Sequence, residues 1–333
     1  MSGRPGAQCP HAPARHHLTL SILLAVAACG SVEEGPAVRV GVPPGSSLGA
    51  VAESLEARGV IANKGWFKVL GRLRGTHRRI QPGIYEIVPG TSAGDILAQL
   101  AEGDAVRFTL TLPEGGTLWD FARNAERQLE IPRDSIWAAA RDSALREEFG
   151  IPGATVEGWL KPETYAFGGF DDARDVVRRF LEERSAAWPA DWKERADAAD
   201  LDRDEVLTLA SIVEAEAFLA EELARIAAVY RNRLRLGMPL QADPTIQYAF
   251  LIDRGQREPR LFNRDYAYPS PYNTYLHAGL PPTPIGNPSD AAIEAVLSPA
   301  DVRDLYFVAR GDGSHVFART YAEHLRNIRQ VRR

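Results

Sequence analysis

The chain has few of the residues that cross-linked and metal-binding proteins need. Only two cysteines occur in 333 residues, Cys9 and Cys29, which excludes a disulfide framework. The sequence contains no HExxH-type spacing, which disfavours a metal hydrolase, and no Walker loop. We therefore expect an activity that needs no metal and no cofactor.

A strong excess of one charge is also missing. The chain has 39 Lys and Arg against 44 Asp and Glu, a net charge of −5. Proteins that bind nucleic acid usually carry a large basic excess, so nucleic acid is not an expected partner. The length allows one large hydrophobic core or two to three smaller ones.

The apolar run near the N-terminus, Leu18 to Ala28, is about half the ~20 residues that a membrane-spanning helix needs. It follows two arginines and ends in Val26-Ala27-Ala28-Cys29, a pattern typical of a secretory signal and similar to the lipobox of bacterial lipoproteins. We predict a signal sequence over residues 1–29 with Cys29 as the lipidation site, and a short membrane anchor is the alternative. Either one places the remainder on the periplasmic side of the cell membrane.

A linker over residues 30–37 precedes a segment with a clear element pattern. Residues 38–42 alternate as in a half-buried strand, and Ser46 or Ser47 can cap a helix that carries apolar residues at helical spacing. A second helix over 64–73 and a returning strand over 81–87 complete the order β-α-α-β. This order resembles a LysM module, which binds glycans containing N-acetylglucosamine, and a spacer subdomain is the alternative. We assign residues 38–108 to this LysM-like module.

A degenerate repeat follows at an offset of 70 residues. Residues 40–48 align with residues 110–118, and both copies have the pattern strand, Pro-Gly turn, capped helix. We predict that residues 109–154 hold a second strand-turn-helix unit that connects the module to the rest of the chain.

One acidic residue lies within an apolar helical pattern. Residues 205–236 are predicted to be helical, and Glu214 shares a face with Leu207, Ala210, Ser211, Ala217 and Phe218. Burial on this face would disfavour the charged form of Glu214, which suits a general acid. Glu216 points about 200° away around the helix, so the two carboxylates are not expected to converge. A solvated or ion-paired side chain is the alternative for Glu214.

Four motifs carry the strongest signal. They are EGWLKPETY at 157–165, ASIVEAE at 210–216, NRLRLGMPLQADPT at 232–245 and SPYNTYLHAGLPPTPI at 270–285. Their sequences, order and spacing resemble those of the endolytic murein transglycosylases of the MltG, or YceG-like, family, over roughly residues 38–329.

The resemblance implies a lytic transglycosylase that acts on the glycan strands of peptidoglycan. Glu214 would protonate the oxygen of the β-1,4 bond between N-acetylmuramic acid and N-acetylglucosamine, and the C6 hydroxyl of the muramic acid would close on C1 to give a 1,6-anhydro end. This internal nucleophile explains the lack of a second helix carboxylate at the spacing of other glycosidases. Glycan-strand termination, with peptidoglycan synthases as partners, is the implied setting.

The other motif residues are candidates for substrate contacts. Glu157 and Trp159 resemble subsite groups, although Lys161 departs from the apolar residue expected there, and a core tryptophan beside an ion pair is the alternative. Asp243 could line the cleft or cap a helix with Pro244 at its first position. The remaining candidates are Gln241, Thr245, Tyr272, Asn273, Thr274 and Tyr275.

The sequence as a whole predicts an α+β protein, with the LysM-like module followed by a mixed helical and β catalytic domain over residues 155–333. Two other functions remain open. One is a muramidase that uses water, and the other is a non-catalytic lipoprotein that binds peptidoglycan.

Overall fold

The computed structural model describes residues 35–258 and 260–332. This part of the chain is α+β, as predicted, with thirteen α-helices and three two-stranded antiparallel sheets that pair β1 with β2, β3 with β4 and β5 with β6. The strands are β1 (Val38–Val42), β2 (Gly83–Ile87), β3 (Phe108–Thr111), β4 (Thr164–Phe167), β5 (Tyr306–Ala309) and β6 (His315–Ala318). The helices are α1 (Leu48–Ala57), α2 (Lys64–Leu73), α3 (Ala93–Glu102), α4 (Leu118–Leu129), α5 (Arg133–Ala140), α6 (Ser143–Glu148), α7 (Ala173–Ala186), α8 (Ala190–Ala198), α9 (Arg203–Glu216), α10 (Leu223–Arg235), α11 (Asp243–Arg254), α12 (Asp290–Leu297) and α13 (Tyr321–Val331).

The N-terminal module has the predicted β-α-α-β order. β1 pairs with β2 in a register that runs from Val38 opposite Ile87 to Val42 opposite Gly83, and the Ser47 hydroxyl caps α1 by accepting the Ala50 N–H at 3.2 Å. The module also contains α3, which was not predicted from the sequence and whose apolar side chains complete the module's core. The element order is thus confirmed, while the specific likeness to LysM stays a prediction.

Two hydrophobic cores divide the described chain. The first contains buried residues between Val40 and Leu100, and the second contains buried residues between Leu110 and Leu297. The second core draws on both sides of the predicted boundary at 154, since Phe121 of α4 stacks edge-on against Phe180 of α7 with ring centroids 4.8 Å apart. Residues 109–154 therefore belong structurally with the predicted catalytic domain and do not merely connect to it.

The predicted repeat is present in the backbone. Gly45 and Gly115, 70 residues apart, both adopt a left-handed conformation at φ 75° and 67°, which glycine reaches without a Cβ penalty. Ser47 and Thr117, also 70 apart, are the N-caps of α1 and α4. The two copies differ in their partners, because β3 pairs with β4, with Thr111 opposite Thr164.

The helix predicted over 205–236 is broken. α9 ends at Glu216, Ala217 is extended at φ −78° and ψ 124°, and α10 begins only at Leu223. Phe218 consequently lies off the helix and is 79% exposed. Near the C-terminus, β5 and β6 form a hairpin that precedes α13, and β5 is half-buried.

None of the described helices combines the length and the apolar character that crossing a membrane would require. The predicted signal sequence and the lipidation site Cys29 lie outside the described residues, so both remain predictions.

Candidate active site

Glu214 stands on the last turn of α9, a largely buried helix of the second core. Every residue from Val206 to Val213 is buried, and Asp202 fixes the start of the helix through a capping box with Glu205. Glu214 itself is half-buried, so it is less buried than its place in an apolar helical pattern predicted.

Glu214 lies at the edge of a cavity of about 230 Å³. The lining residues are Glu114, Gly115, Ser211, Glu214, Ala215, Pro244, Gln247, Arg257 and Ile285.

One carboxylate oxygen of Glu214 is held in place by α12. The backbone N–H of Ser289 donates to Glu214 Oε2 at 3.0 Å, and the Ser289 hydroxyl donates to the same oxygen. Ser289 is the N-cap of α12, where the partial positive charge of the helix end stabilises a carboxylate. Within residues 35–258 and 260–332 both hydrogen bonds of this carboxylate go to Oε2, which leaves Oε1 for a ligand.

The turn of the second repeat lies directly against Glu214. A Cβ on Gly115 would stand 3.3 Å from Glu214 Cγ, so the backbone of the turn forms one wall of the cavity. The Gly115 N–H donates to the Asn287 carbonyl at 2.8 Å, and the Asn287 N–H donates to the Gly116 carbonyl at 2.9 Å. This role of the turn was not predicted, although the repeated Pro-Gly pattern marks its position in the sequence.

The loop over residues 284–289 joins three of the four motifs. Gly158 of the EGW motif is left-handed at φ 82°, and a Cβ there would lie 2.2 Å from Pro284 Cβ. Ser211 of the ASIVE motif accepts the Ile285 N–H at 3.0 Å, one turn before Glu214. These contacts hold the loop, and with it Ser289, against α9.

A second carboxylate, which the sequence analysis also missed, enters the cavity from the turn. Partial burial, and then the negative charge of Glu214, raise the pKa of the Glu114 carboxyl above its ordinary value. The side chains of Gln247 and Arg257 line the same cavity from α11 and the segment after it. The site therefore combines two acidic groups, one amide and one guanidinium.

Glu157, predicted to contact sugar, is a buried link between elements that also borders a second cavity, lined by Tyr272. It is only 2% exposed and accepts hydrogen bonds from the Leu118 N–H at 3.1 Å, the Asn287 side-chain amide at 3.1 Å and the Tyr248 hydroxyl at 3.2 Å. Burial raises its pKa to about 7, although the bonds from Leu118 and Tyr248 lower it. Glu157 thus ties the start of α4, α11 and the 284–289 loop together.

The buried Glu157 gives stability a defined dependence on pH. Its folded-state pKa of about 7 lies above the ordinary 4.5, so the folded state binds this proton more tightly than the unfolded chain does. Its contribution is complete below pH 4.5 and is lost as the pH rises through 7, which lowers the free energy of unfolding by about 3 kcal/mol over this window. Urea unfolding at several pH values should show a flatter profile for Glu157→Gln than for the wild type. Equal slopes for the two proteins would contradict this assignment.

Trp159 is a core residue. It is 4% exposed, its indole N–H donates to Asp204 at 2.9 Å, and the Arg203 guanidinium lies over its ring at 4.8 Å. The packing alternative therefore fits Trp159, and the prediction of a sugar contact does not.

Most polar residues of the DPT and YNTY segments bind each other. Thr245, Asn273 and Thr274 are at most 1% exposed. The Thr245 and Thr274 hydroxyls lie 3.0 Å apart, and the Asn273 amide donates to backbone carbonyls of the preceding loop. Their hydrogen-bonding groups are used inside the protein, so the predicted substrate contacts at these three positions are not accessible.

Asp243 is the first residue of α11 and Ala242 is the N-cap, so the capping alternative for Asp243 does not hold. Its carboxylate instead accepts the Tyr275 hydroxyl at 2.6 Å. Gln241 is exposed at φ 52°, and the structure does not bring it into the Glu214 cavity.

Tyr272 lies in a second cavity of about 390 Å³. Its hydroxyl pairs with that of Thr283 at 2.7 Å, and Trp119, Trp137 and Tyr248 supply three more aromatic walls. The two cavities border the same short segment, since Glu114 and Gly115 line the first and Leu118 and Trp119 line the second. Tyr272 is thus the one YNTY residue placed in a cavity near the site.

In the part of the chain that the structure describes, no group of three His, Cys, Asp or Glu side chains is arranged to hold a metal ion.

The chain is similar to known proteins over nearly the whole of its described part. The chain is 30% identical to an endolytic murein transglycosylase of Bacillus subtilis, over 86% of this chain and 82% of the relative. It is 28% identical to the enzyme of that name from Streptococcus pneumoniae, over 87% of this chain and 58% of the longer relative.

The crystal structure of a YceG-like protein from Listeria monocytogenes superposes with a TM-score of 0.61 at 28% identity, covering 87% of this chain and 98% of that one. The sequence model of the YceG-like family matches residues 40–330, which include the Glu214 helix, the turn at Gly115 and the loop that ends at Ser289. The chain therefore belongs to the YceG-like family.

Proposed function

We propose that this chain is a lytic transglycosylase that cuts peptidoglycan glycan strands internally, with Glu214 as the catalytic residue. The observation that carries the proposal is the placement of Glu214 at a cavity with Oε2 fixed by Ser289 and Oε1 without a partner among the described residues. Relatives named endolytic murein transglycosylase, at 28–30% identity, support the same activity.

The chemistry follows from one acid that acts twice. Protonated Glu214 donates its proton from Oε1 to the oxygen of the β-1,4 bond, and the leaving N-acetylglucosamine departs with that proton. The C6 hydroxyl of the muramic acid then forms a bond to C1, and Glu214 takes the hydroxyl proton as a base. The Ser289 N–H and the end of α12 stabilise the carboxylate between the two steps.

A muramidase that uses water is the second candidate, and Glu114 favours it. Most glycosidases that use water have two carboxylates in one active site, and Glu114 lines the cavity of Glu214. The products separate the two candidates, because hydrolysis adds a water at C1 and the internal closure does not. A purely binding protein would release neither kind of product.

The mode of cutting can be tested on long uncrosslinked strands. We expect internal cuts, because the aromatic cavity at Trp119 and Tyr272 borders the same short segment as the Glu214 cavity and aromatic faces suit sugar rings. A strand bound across both cavities would be cut away from its end. The mean strand length should then fall early while few anhydro-disaccharides appear, as followed by size-exclusion chromatography over time. Disaccharides that accumulate from the first minutes beside persistent long strands would contradict internal cutting.

We further propose that the enzyme acts at the cell membrane, on its periplasmic side, beside peptidoglycan synthases whose strands it terminates. The apolar run that ends at Cys29 supports the anchoring. The LysM-like module would hold glycan next to the catalytic region, which raises the local concentration of bonds to be cut.

A further inference from the structure

One stretch of the module carries charge of a single sign. Residues 57–85 contain seven arginines and lysines and no aspartate or glutamate, in a chain with a net charge of −5. Six of the seven lie in α2 or between its end and Arg79. Lys64 pairs with Glu56 at 3.3 Å, whereas Lys68, Arg72, Arg78 and Arg79 form no salt bridge within the described residues.

The same helix presents an apolar row to the outside. Trp66, Val69 and Leu73 are 56%, 47% and 78% exposed, and their spacing of three and four residues places them on one face of α2. We call these three residues the α2 face. The opposite side of α2 packs into the module, where Phe67 is fully buried and a Cβ on Gly71 would stand 2.8 Å from Leu48 Cδ2. A row of large exposed apolar side chains marks an interaction surface.

We propose that the α2 face and its basic neighbours bind the surface of an anionic phospholipid bilayer. Tryptophan, valine and leucine on one face with lysine and arginine beside them are the chemistry of a helix that lies in a membrane interface. The apolar row enters the acyl boundary, and Lys68, Arg72, Arg78 and Arg79 contact acidic headgroups.

Other occupants match only half of this surface. An anionic wall polymer would pair with the arginines and leave Trp66, Val69 and Leu73 in water. A glycan could stack on Trp66 but would not use the concentration of positive charge. An anionic bilayer offers both an apolar phase and negative charge.

The position of the module along the chain fits this contact. The apolar run that ends at Ala28 precedes Val38 by ten residues, which can span at most ~35 Å when extended. A tether of that length keeps the module near the bilayer without orienting it. Contact between the α2 face and the bilayer orients the module. This proposal does not depend on the assignment of Glu214 as the catalytic residue.

The test uses the full chain reconstituted in vesicles of neutral phosphatidylcholine or of phosphatidylcholine with phosphatidylglycerol. Lipids brominated on the upper acyl carbons quench tryptophans that enter the interface, and the difference between wild type and Trp66→Phe isolates Trp66 among six tryptophans. We expect quenching of Trp66 in the anionic vesicles, reduced about twofold or more in neutral vesicles or at high salt, as screening requires.

Matched variants separate the apolar and the charged contributions. Leu73→Asp should abolish the quenching, whereas Leu236→Asp, at another solvent-facing leucine that is 63% exposed at the end of α10, should leave it unchanged. The triple variant Arg72→Gln, Arg78→Gln, Arg79→Gln should weaken the dependence on lipid charge. Both leucines are exposed, so thermal unfolding should be unaltered in either variant.

Two results would overturn the proposal. The first is equal quenching of wild type and Trp66→Phe by brominated lipid in anionic vesicles. The second is protection of Trp66 from acrylamide by soluble polyphosphate without lipid, combined with no quenching by brominated lipid, which would assign the surface to a wall polymer.

Discussion

Replacing Glu214 with glutamine should lower the rate of glycan cleavage by about 10²–10⁴-fold, the usual loss when a positioned general acid is removed. The amide has no acidic proton to donate, yet its carbonyl oxygen can still accept the Ser289 N–H and hydroxyl. Because the side chain is half-buried and nearly the same size, the unfolding midpoint should stay close to that of the wild type. The rate is measured as anhydro ends released per enzyme from uncrosslinked strands.

The neighbouring Glu216 provides the control on the same helix. Its carboxylate accepts the Tyr230 hydroxyl at 2.9 Å, and burial raises its pKa to about 7, so it has partners different from those of Glu214, as the helical geometry predicted. Glu216→Gln should reduce cleavage much less than Glu214→Gln. Near-normal turnover of the Glu214→Gln protein would show that the acid has been wrongly assigned.

Gly158→Ala should have the largest effect of any single methyl group added to the site. Alanine at φ 82° is strained, and its Cβ would stand 2.2 Å from Pro284 Cβ, so the 284–289 loop must move. We expect a loss of roughly 2–5 kcal/mol in the free energy of unfolding from strain and overpacking together. Since the loop ends at Ser289, which fixes Glu214, cleavage should fall even where the protein remains folded.

The variant Gly237→Ala is a control that has the strain of a left-handed alanine without a clash like that between Gly158→Ala and Pro284. Gly237 is left-handed at φ 67°, and a Cβ there meets nothing within 4 Å. It should cost about 1 kcal/mol of stability for the left-handed conformation and leave cleavage intact. Urea unfolding and turnover of the two variants side by side give the comparison. Equal losses in both would mean that the Gly158–Pro284 contact does not hold the active site together.

The local elements of the module were predictable because their signals are local. Ser47 caps α1, the predicted bounds of α2 are those observed, and the apolar spacing identified the buried face of α1. Glu214 was found through its motif and lies at a cavity. α3 was missed although Ser92 caps it, because no motif or repeat drew attention to that stretch.

The walls of the cavity could not be predicted, because they depend on contacts between distant parts of the chain. The Asn287 amide donates to the Gly116 carbonyl across 171 residues, and neither residue belongs to a motif that the sequence analysis had joined. Glu114 reaches Glu214 only through this contact between turn and loop. Because Glu114 is far from the ASIVE motif along the chain, the sequence did not predict it as a second carboxylate of the site.

Residue type alone could not distinguish substrate contacts from internal links. Glu157, Thr245 and Asn273 have the hydrogen-bonding groups that a sugar site needs, and those groups also satisfy buried backbone atoms, as they do here. The direction in which such a side chain faces depends on packing that the sequence does not state. Tyr272 lines a cavity, as predicted for a substrate contact, because its ring lies at the edge of the core.

The most direct test of the catalytic assignment is mass spectrometry of the fragments released early from long uncrosslinked glycan strands. Wild-type protein should give a spread of fragment lengths that end in 1,6-anhydro-muramic acid, and Glu214→Gln should give almost none. Fragments with hydrated reducing ends would contradict the closure by the C6 hydroxyl and assign Glu114 to the activation of water. Anhydro fragments produced equally well by Glu214→Gln would contradict the role of Glu214 itself.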